Sequence, residues 1–347
     1  MENEIKVILC GLGPMGKLIA KEILEKKGVR IVGAVDVAKE MVNKDLGEIL
    51  ELGKTLGIKV TNDLEGLLSD IEADVAIVAT SSYLKDVYPQ IALFVKAGIN
   101  VISTCEELSY PYYKYPALSN EIDLLAKKHH VTILGTGINP GYLMDTLPIT
   151  LTGVCKHVDS IKVTRMMNSS KRRVSYQKKI GTGLTPEEFK KMVNEKKITG
   201  HVGLLESIAM IAAALEWKLD EIKELPPEPV IAEKEILTSY TTIKVGHVCG
   251  LKSIAHGIKA GRPVIILEFI SHAAVEEEYD AILIDGVPKV YEKIAGGIHG
   301  DIGTAAIVIN MIPKLLNANP GLLTMKDLPL PSAAIEDLRV YLNWKRC

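Results

Sequence analysis

In the N-terminal part of the chain, apolar side chains gather in short uninterrupted runs, and the stretches between them repeat with helical spacing. Residues 5–10 form the first run and end at Gly11; Met15, Leu18, Ile19, Ile23 and Leu24 then mark one face of a helix over 14–27. Val29 to Val35 reads as a second strand ending at Asp36, followed by a helix near 44–57, a short strand around Lys59 to Val60 and a helix near 63–70. Val75 to Thr80 is a continuous strand, residues 85–97 a helix closed by Gly98, and Asn100 to Ser103 the next strand. A helix at 117–129 and a strand from Val131 to Leu134 complete the series. Runs without polar alternation are strands buried on both faces, and their alternation with helices predicts an α/β fold with a parallel, doubly wound sheet.

After Gly141 the pattern changes. Residues 142–155 read as a helix, Ser160 to Met166 as an alternating strand, and 186–195 and the very apolar 202–216 as helices. Strands near 230–232, 240–249, 263–271 and 279–285 are joined by turns such as Ala-Gly-Arg-Pro at 260–263 and Asp-Gly at 285–286, with Glu276 to Glu278 a solvated turn. This predicts an α+β second domain with a mixed sheet. A helix from about Ile302 to Leu316 and a Pro-rich tail at 326–331 follow. The expected organisation is residues 1–141 as a dinucleotide-binding domain, 142–298 as a substrate-binding and oligomerisation domain, and 299–347 as a C-terminal helix and tail packing back on the first.

Composition narrows the class of partner. With 41 basic and 43 acidic residues the net charge is −2, and no long Lys/Arg run occurs, which argues against nucleic acid. No apolar stretch approaches the roughly 20 residues that cross a bilayer, and the acidic N-terminus is unlike a signal peptide. Five scattered cysteines, Cys10, Cys105, Cys155, Cys249 and Cys347, form no C-x-x-C pair. They argue against a disulfide framework or a zinc site and for a reducing cytoplasm. The eight histidines hold no H-E-x-x-H arrangement, so no metal is expected.

The most informative local pattern is Gly11-Leu12-Gly13-Pro14-Met15-Gly16, directly after a strand and opening a helix. Three glycines there permit a tight turn, backbone approach to a pyrophosphate at the helix N-terminus, and close helix packing, the fingerprint of a Rossmann nucleotide-binding sheet. Asp36 stands about 20 residues on, where a ribose diol is recognised. It favours NAD over NADP; Lys39 is either an ordinary solvated lysine or a charge that offsets part of the repulsion toward a 2′-phosphate, and flavin is the weaker alternative. Ligands of such sheets lie beyond the carboxyl ends of the strands. The loops there hold Thr80, Ser81 and Ser82, in which a serine could also cap the next helix; the adjacent carboxylates Glu106 and Glu107; and the glycine-dense Gly135 to Gly141 with Asn139.

The second domain offers Arg172 and Arg173, either a bidentate clamp for a substrate carboxylate or a solvated basic turn, followed by Gln177. His201 opens an apolar helix, directed into a cleft or satisfied locally, and in His299-Gly300-Asp301 the aspartate could cap a helix. No G-x-S-x-G elbow or Walker loop supports a hydrolase or kinase.

Taken together, Ser-Thr-Cys-Glu-Glu-Leu-Ser-Tyr-Pro at 103–111, Gly-Thr-Gly-Ile-Asn-Pro-Gly-Tyr-Leu-Met-Asp-Thr-Leu-Pro at 135–148 and Gly-His-Val-Gly-Leu-Leu-Glu-Ser at 200–207 resemble the 2,4-diaminopentanoate dehydrogenase family. Lys-Ile-Gly-Thr-Gly-Leu at 179–184 and Gly-Gly-Ile-His-Gly-Asp at 296–301 extend the resemblance over almost the whole chain. That family is related to native amine dehydrogenases, within a group similar to dihydrodipicolinate reductase. The resemblance implies oxidative deamination of the C4 amine of 2,4-diaminopentanoate to 2-amino-4-oxopentanoate and ammonia, with NAD or NADP, in ornithine degradation. It implies an acid–base carboxylate at Glu106 or Glu107, with a count against related reductases favouring Glu107. Arg172 or Arg173 would hold the substrate carboxylate, and Asn139, Gln177 and His201 would orient the substrate. A homodimer is expected by analogy. The competing readings are an amine dehydrogenase or imine reductase with another substrate, and a non-catalytic NAD-binding regulatory protein. The His-His-Lys segment expected of a dihydrodipicolinate-type reductase is absent from the second domain; the only His-His pair is His129-His130.

Overall fold

The computed structural model describes residues 4–342; Cys347 and the first three residues lie outside the described residues. The first segment runs β1 (Ile5–Cys10), α1 (Pro14–Glu25), β2 (Val29–Val35), α2 (Leu46–Ile49), β3 (Val60–Thr61), α3 (Leu64–Asp70), β4 (Val75–Val78), α4 (Leu84–Lys96), β5 (Asn100–Ser103), α5 (Pro116–Lys128) and β6 (Thr132–Gly135). Then come α6 (Thr146–Thr152), β7 (His157–Asn168), α7 (Val174–Lys179), α8 (Pro186–Asn194), α9 (Leu204–Ala214), β8 (Glu221–Glu224), β9 (Glu228–Ile231), β10 (Ile236–Leu237) and β11 (Thr242–Ile243). The chain closes with β12 (Val248–Lys259), β13 (Arg262–His272), β14 (Tyr279–Val287), β15 (Val290–Ala295), α10 (Gly300–Leu316) and β16 (Gly321–Leu323). Two compact units result: the chain through Tyr142 with the segment from His299, and Leu143–Ile298.

The first unit is a seven-stranded sheet in the order β16-β6-β5-β4-β1-β2-β3, with every neighbouring pair parallel. The α/β doubly wound expectation holds for a physical reason visible in the sequence. Val75, Ala76, Ile77 and Val78 are all buried, so β4 has no polar face to alternate with. The strand order reverses between β1 and β4, the place where such sheets open a crevice at their carboxyl ends. β16, which the sequence did not reveal, adds an edge beside β6.

The helix expected near 44–57 is a correction. Only Leu46–Ile49 is helical, because Glu51, Gly53 and Gly57 adopt positive φ angles of 57°, 66° and 71°. The loop wraps instead around Asp45, whose carboxylate accepts from the amides of Gly47 and Leu56 and, at 3.1 Å, Ile58.

The second unit has a mixed sheet, β15-β14-β7-β13-β12-β8, with β9 also on β12; only β13 and β7 run parallel. β7 and β13 alternate buried and half-buried positions, and α9, apolar nearly all round and almost wholly buried, packs on β12 and β13. Several expected boundaries move. The strand at 240–249 is broken by Gly246 (φ 80°) into β11 and the start of β12. Asp285-Gly286 is not a turn but a bulge within β14, which continues to Val287 before β15. The helix at 142–155 shortens to α6 behind the buried cap Asp145.

Candidate active site

At the switch point the three glycines divide their work as the fingerprint requires. Gly11 has φ 95°, and a Cβ there would lie 2.6 Å from the Ala79 carbonyl oxygen, so the turn presses against the end of β4. A Cβ at Gly16 would stand 1.9 Å from the Gly11 oxygen, which fixes how closely α1 meets the turn. Gly13, the residue before α1, meets nothing within 4 Å, and Pro14 fills the first helical position where no amide is needed. Open space over an uncapped helix N-terminus fits the pyrophosphate of a dinucleotide. Leu12 is buried beneath the turn, and Met15 is half-buried.

Asp36 locks the geometry from the next strand. Its Oδ2 accepts from the Leu12 amide at 2.6 Å and its Oδ1 from the Ala38 amide at 2.8 Å, so the carboxylate is oriented before any ribose arrives. Each oxygen keeps a second lone pair for a diol. Lys39 is exposed. The Cys10 thiol is pushed up to about 12 by burial and by the Asp36 charge, which leaves it unreactive.

The loops after β4 and β5 interlock. Thr80 donates to Gln90 at 2.7 Å, and Ser81 donates to Asp86 and accepts from the Tyr83 amide. Neither serine caps α4. The amide of Leu84, at its first turn, donates instead to Oε2 of Glu107 at 2.8 Å, and the Glu107 amide returns to the Ser82 carbonyl. Glu107 is buried, and its Oε1 pairs with Lys114 and accepts from the Tyr115 hydroxyl. Oε1 thus accepts two hydrogen bonds while Oε2 keeps one lone pair, so Glu107 is a buried, anchored carboxylate. Glu106, one step earlier on the short 3-10 turn Glu106–Leu108, is only half-buried. Between them and β5, burial pushes the Cys105 thiol up to about 12.

The glycine-dense loop after β6 serves close packing. A Cβ at Gly135 would meet the Leu108 backbone at 2.4 Å, and one at Gly141 the Gly137 amide nitrogen at 2.5 Å. Ile138 is held by Thr304 of α10, and Asn139 sits half-buried between. α10 itself is capped by His299, whose ring accepts from Ile302, not by Asp301.

In the second unit the arginine pair separates. Arg173 is exposed and precedes α7, a helix the sequence did not reveal; Arg172 is half-buried with its guanidinium 5.4 Å from the Tyr176 ring centroid. Gln177 is fully buried, and its amide donates to the Arg172 carbonyl and the Ser239 hydroxyl, each at 2.7 Å. It ties the basic turn together. The His201 ring stacks on Phe269 with centroids 4.3 Å apart and planes 10° from parallel. Sequence reasoning missed Arg165, buried on β7 in register with Asp280 of β14. The signal was present: in Ile161, Val163, Arg165 the inward positions of an alternating strand end on a charge.

Residues 142–344 match the sequence model of the 2,4-diaminopentanoate dehydrogenase C-terminal domain, and residues 5–105 that of the dihydrodipicolinate reductase N-terminus. A 2,4-diaminopentanoate dehydrogenase of Acetoanaerobium sticklandii is 37% identical over 345 residues, 98% of each chain. An amine dehydrogenase of Streptomyces virginiae is 23% identical over 95% of this chain and 97% of its own. Among solved structures, an amine dehydrogenase from Mycobacterium smegmatis superposes with a TM-score of 0.83 at 26% identity, covering 96% of this chain and 99% of that one.

Proposed function

The chain belongs to the 2,4-diaminopentanoate dehydrogenase family, and from that premise we propose that it oxidises the C4 amine of 2,4-diaminopentanoate. It is an oxidoreductase acting on amines. The balanced reaction takes the protonated amine, water and NAD(P)+ to 2-amino-4-oxopentanoate, ammonium, NAD(P)H and a proton; run backwards it is a reductive amination. The observation that carries the reading is the half-buried Glu106 at the carboxyl end of β5, in a nucleotide-binding sheet of a chain similar along its full length to such a dehydrogenase.

A nicotinamide cofactor supplies the hydride acceptor. The chain's own residues hold and prepare the reactants. Gly11, Leu12, Gly13, Pro14, Met15 and Gly16 offer the N-terminus of α1 to the pyrophosphate, and the pre-oriented Asp36 takes the ribose diol, which favours NAD. Thr80, Ser81 and Ser82 line the carboxyl end of β4, the next strand across the switch point. The Glu106 carboxylate stabilises the cation left at C4, takes a proton from the attacking water and returns one to departing ammonia. Glu107 holds the turn that presents Glu106. Asn139 and His201 are proposed to orient the substrate; Gln177 acts through the backbone it ties.

The open face of the second unit's sheet carries Ile254, Ile258, Ile266 and Ile270, none fully buried, which supports pairing of two copies into a homodimer. Buried, unpaired Cys10, Cys105 and Cys249 suit a reducing cytoplasm, and the substrate suits ornithine degradation. Among the described residues no helix is long and apolar enough to cross a membrane.

The test is the appearance of reduced nicotinamide with 2,4-diaminopentanoate, NAD and NADP run in parallel, against ornithine and 2,4-diaminobutanoate. Turnover is expected with the first substrate and faster with NAD. Turnover confined to simple amines would instead support the second reading, an amine dehydrogenase acting on another amine, as the likeness to the Mycobacterium smegmatis amine dehydrogenase suggests.

A further inference from the structure

Arg165 is 1% exposed, on the face of the sheet that α9 covers. Register places Phe269 of β13 on one side of it and Asp280 of β14 on the other. Its guanidinium can be followed atom by atom. Nη2 donates to the Ile298 carbonyl at 2.5 Å, and Nε faces Met167 Sδ at 3.2 Å. Nη1 is buried with no acceptor.

The nearby carboxylate does not fill that vacancy. Asp280 Oδ1 lies 3.9 Å from Nε, beyond a charge-assisted hydrogen bond, and Oδ2 is spent on the Ile298 amide at 2.7 Å. Burial holds Arg165 below its ordinary value and Asp280 above its own, and the attraction between the two offsets only part of that desolvation. A buried guanidinium edge without an acceptor is costly, and an arriving carboxylate would remove that cost. Its planar fork matches a carboxylate. The candidates legible in the sequence are less suited: Arg173 is exposed and Arg172 lies over Tyr176.

We propose that Arg165 recognises the substrate carboxylate through Nη1, and thereby sets a preference for amines that carry an amino-acid end over amines that lack one. This rests on the proposed amine oxidation. The neighbour of Arg165 in the register of β13 is the apolar Phe269, on which the His201 ring stacks.

The experiment compares Arg165→Met and Arg165→Lys with the unaltered enzyme on 2,4-diaminopentanoate and on its decarboxylated counterpart, butane-1,3-diamine. The ratio of kcat/KM for the two substrates is expected to fall about 100-fold in Arg165→Met, about 3 kcal/mol at 1.4 kcal/mol per tenfold. Arg165→Lys, which keeps charge but loses the fork, should fall between. An unchanged ratio, whether activity is retained or lost on both substrates alike, overturns the assignment. NADH affinity and thermal midpoint identify a variant that has failed to fold; in that case Arg165→Lys alone decides. Calorimetric binding of 2-aminopentanoate separates the two levels. If the unaltered protein oxidises neither amine, yet binds 2-aminopentanoate and loses about 100-fold affinity in Arg165→Met, the reaction is wrong and the carboxylate site stands. If that affinity does not depend on Arg165, the site falls.

Discussion

The buried carboxylate of Glu107 accepts a hydrogen bond at 2.8 Å from the amide of Leu84, so the turn after β5 is fastened to the first turn of α4 after β4. Glu107 therefore carries a structural task in this turn. Replacing Glu107 by Ala leaves the Leu84 amide and the Tyr115 hydroxyl without their acceptor. Because Lys114 is 43% exposed and can turn to solvent, the expected cost is about 2 kcal/mol, below that of breaking a fully buried pair. Chemical denaturation reads it directly.

Glu106→Gln should show the opposite profile. With the fold untouched, kcat is expected to fall by about 10²–10⁴, the usual worth of a positioned acid–base group, while NADH affinity and melting temperature hold. If Glu107→Gln loses turnover at intact stability and Glu106→Gln does not, the roles are reversed.

The fingerprint glycines separate stability from binding. Gly13→Ala puts its methyl into open space, costs about 1 kcal/mol or less as a poorer helix cap, and should still abolish tight cofactor binding. Gly16→Ala collides with the Gly11 oxygen and should lose both, with about 1–3 kcal/mol of stability. Dinucleotide titration followed by nicotinamide fluorescence, alongside melting curves, distinguishes them.

Asp36→Ala should weaken NAD more than NADP, since it removes the ribose acceptor and a repulsion toward a 2′-phosphate together. Some loss with both cofactors is expected, because Leu12 and Ala38 lose their acceptor as well. Equal loss for the two would assign ribose recognition elsewhere.

Acid should loosen the loop around Asp45. Its carboxylate is held below the ordinary value of 3.8 first by the Leu56 amide, with Gly47 and Ile58 adding to it. A depressed folded value means that the contribution is complete above pH 3.8 and lost as the pH falls through and below it. Acid denaturation of Asp45→Asn should show a shallower fall than the unaltered chain.

How far the sequence carried this picture depended on what each residue's neighbours could reveal. β4 and β5 were legible because runs such as Val75 to Val78 have no polar alternation and sit between covered faces. The Asp45 loop was misread because Leu46, Ile49 and Leu50 imitate a helix, while the positive φ of Gly53 and Gly57 belongs to backbone geometry that a period does not carry. β16 and α7 are too short for any period to register. Glu106 and Glu107 were located as a pair but not told apart, since consecutive residues of a 3-10 turn point about a third of a revolution away from each other. The packing of Leu84, Lys114 and Tyr115 around Glu107 belongs to the folded chain and has no trace in the local sequence.

The most direct test of amine oxidation is stoichiometry. Purified protein with NAD and 2,4-diaminopentanoate is expected to release one ammonia and one 2-amino-4-oxopentanoate for each nicotinamide reduced, and to run in reverse when ketone, ammonia and NADH are supplied. Nicotinamide reduction without ammonia, or tight NAD binding with no reduction by any amine, would contradict it.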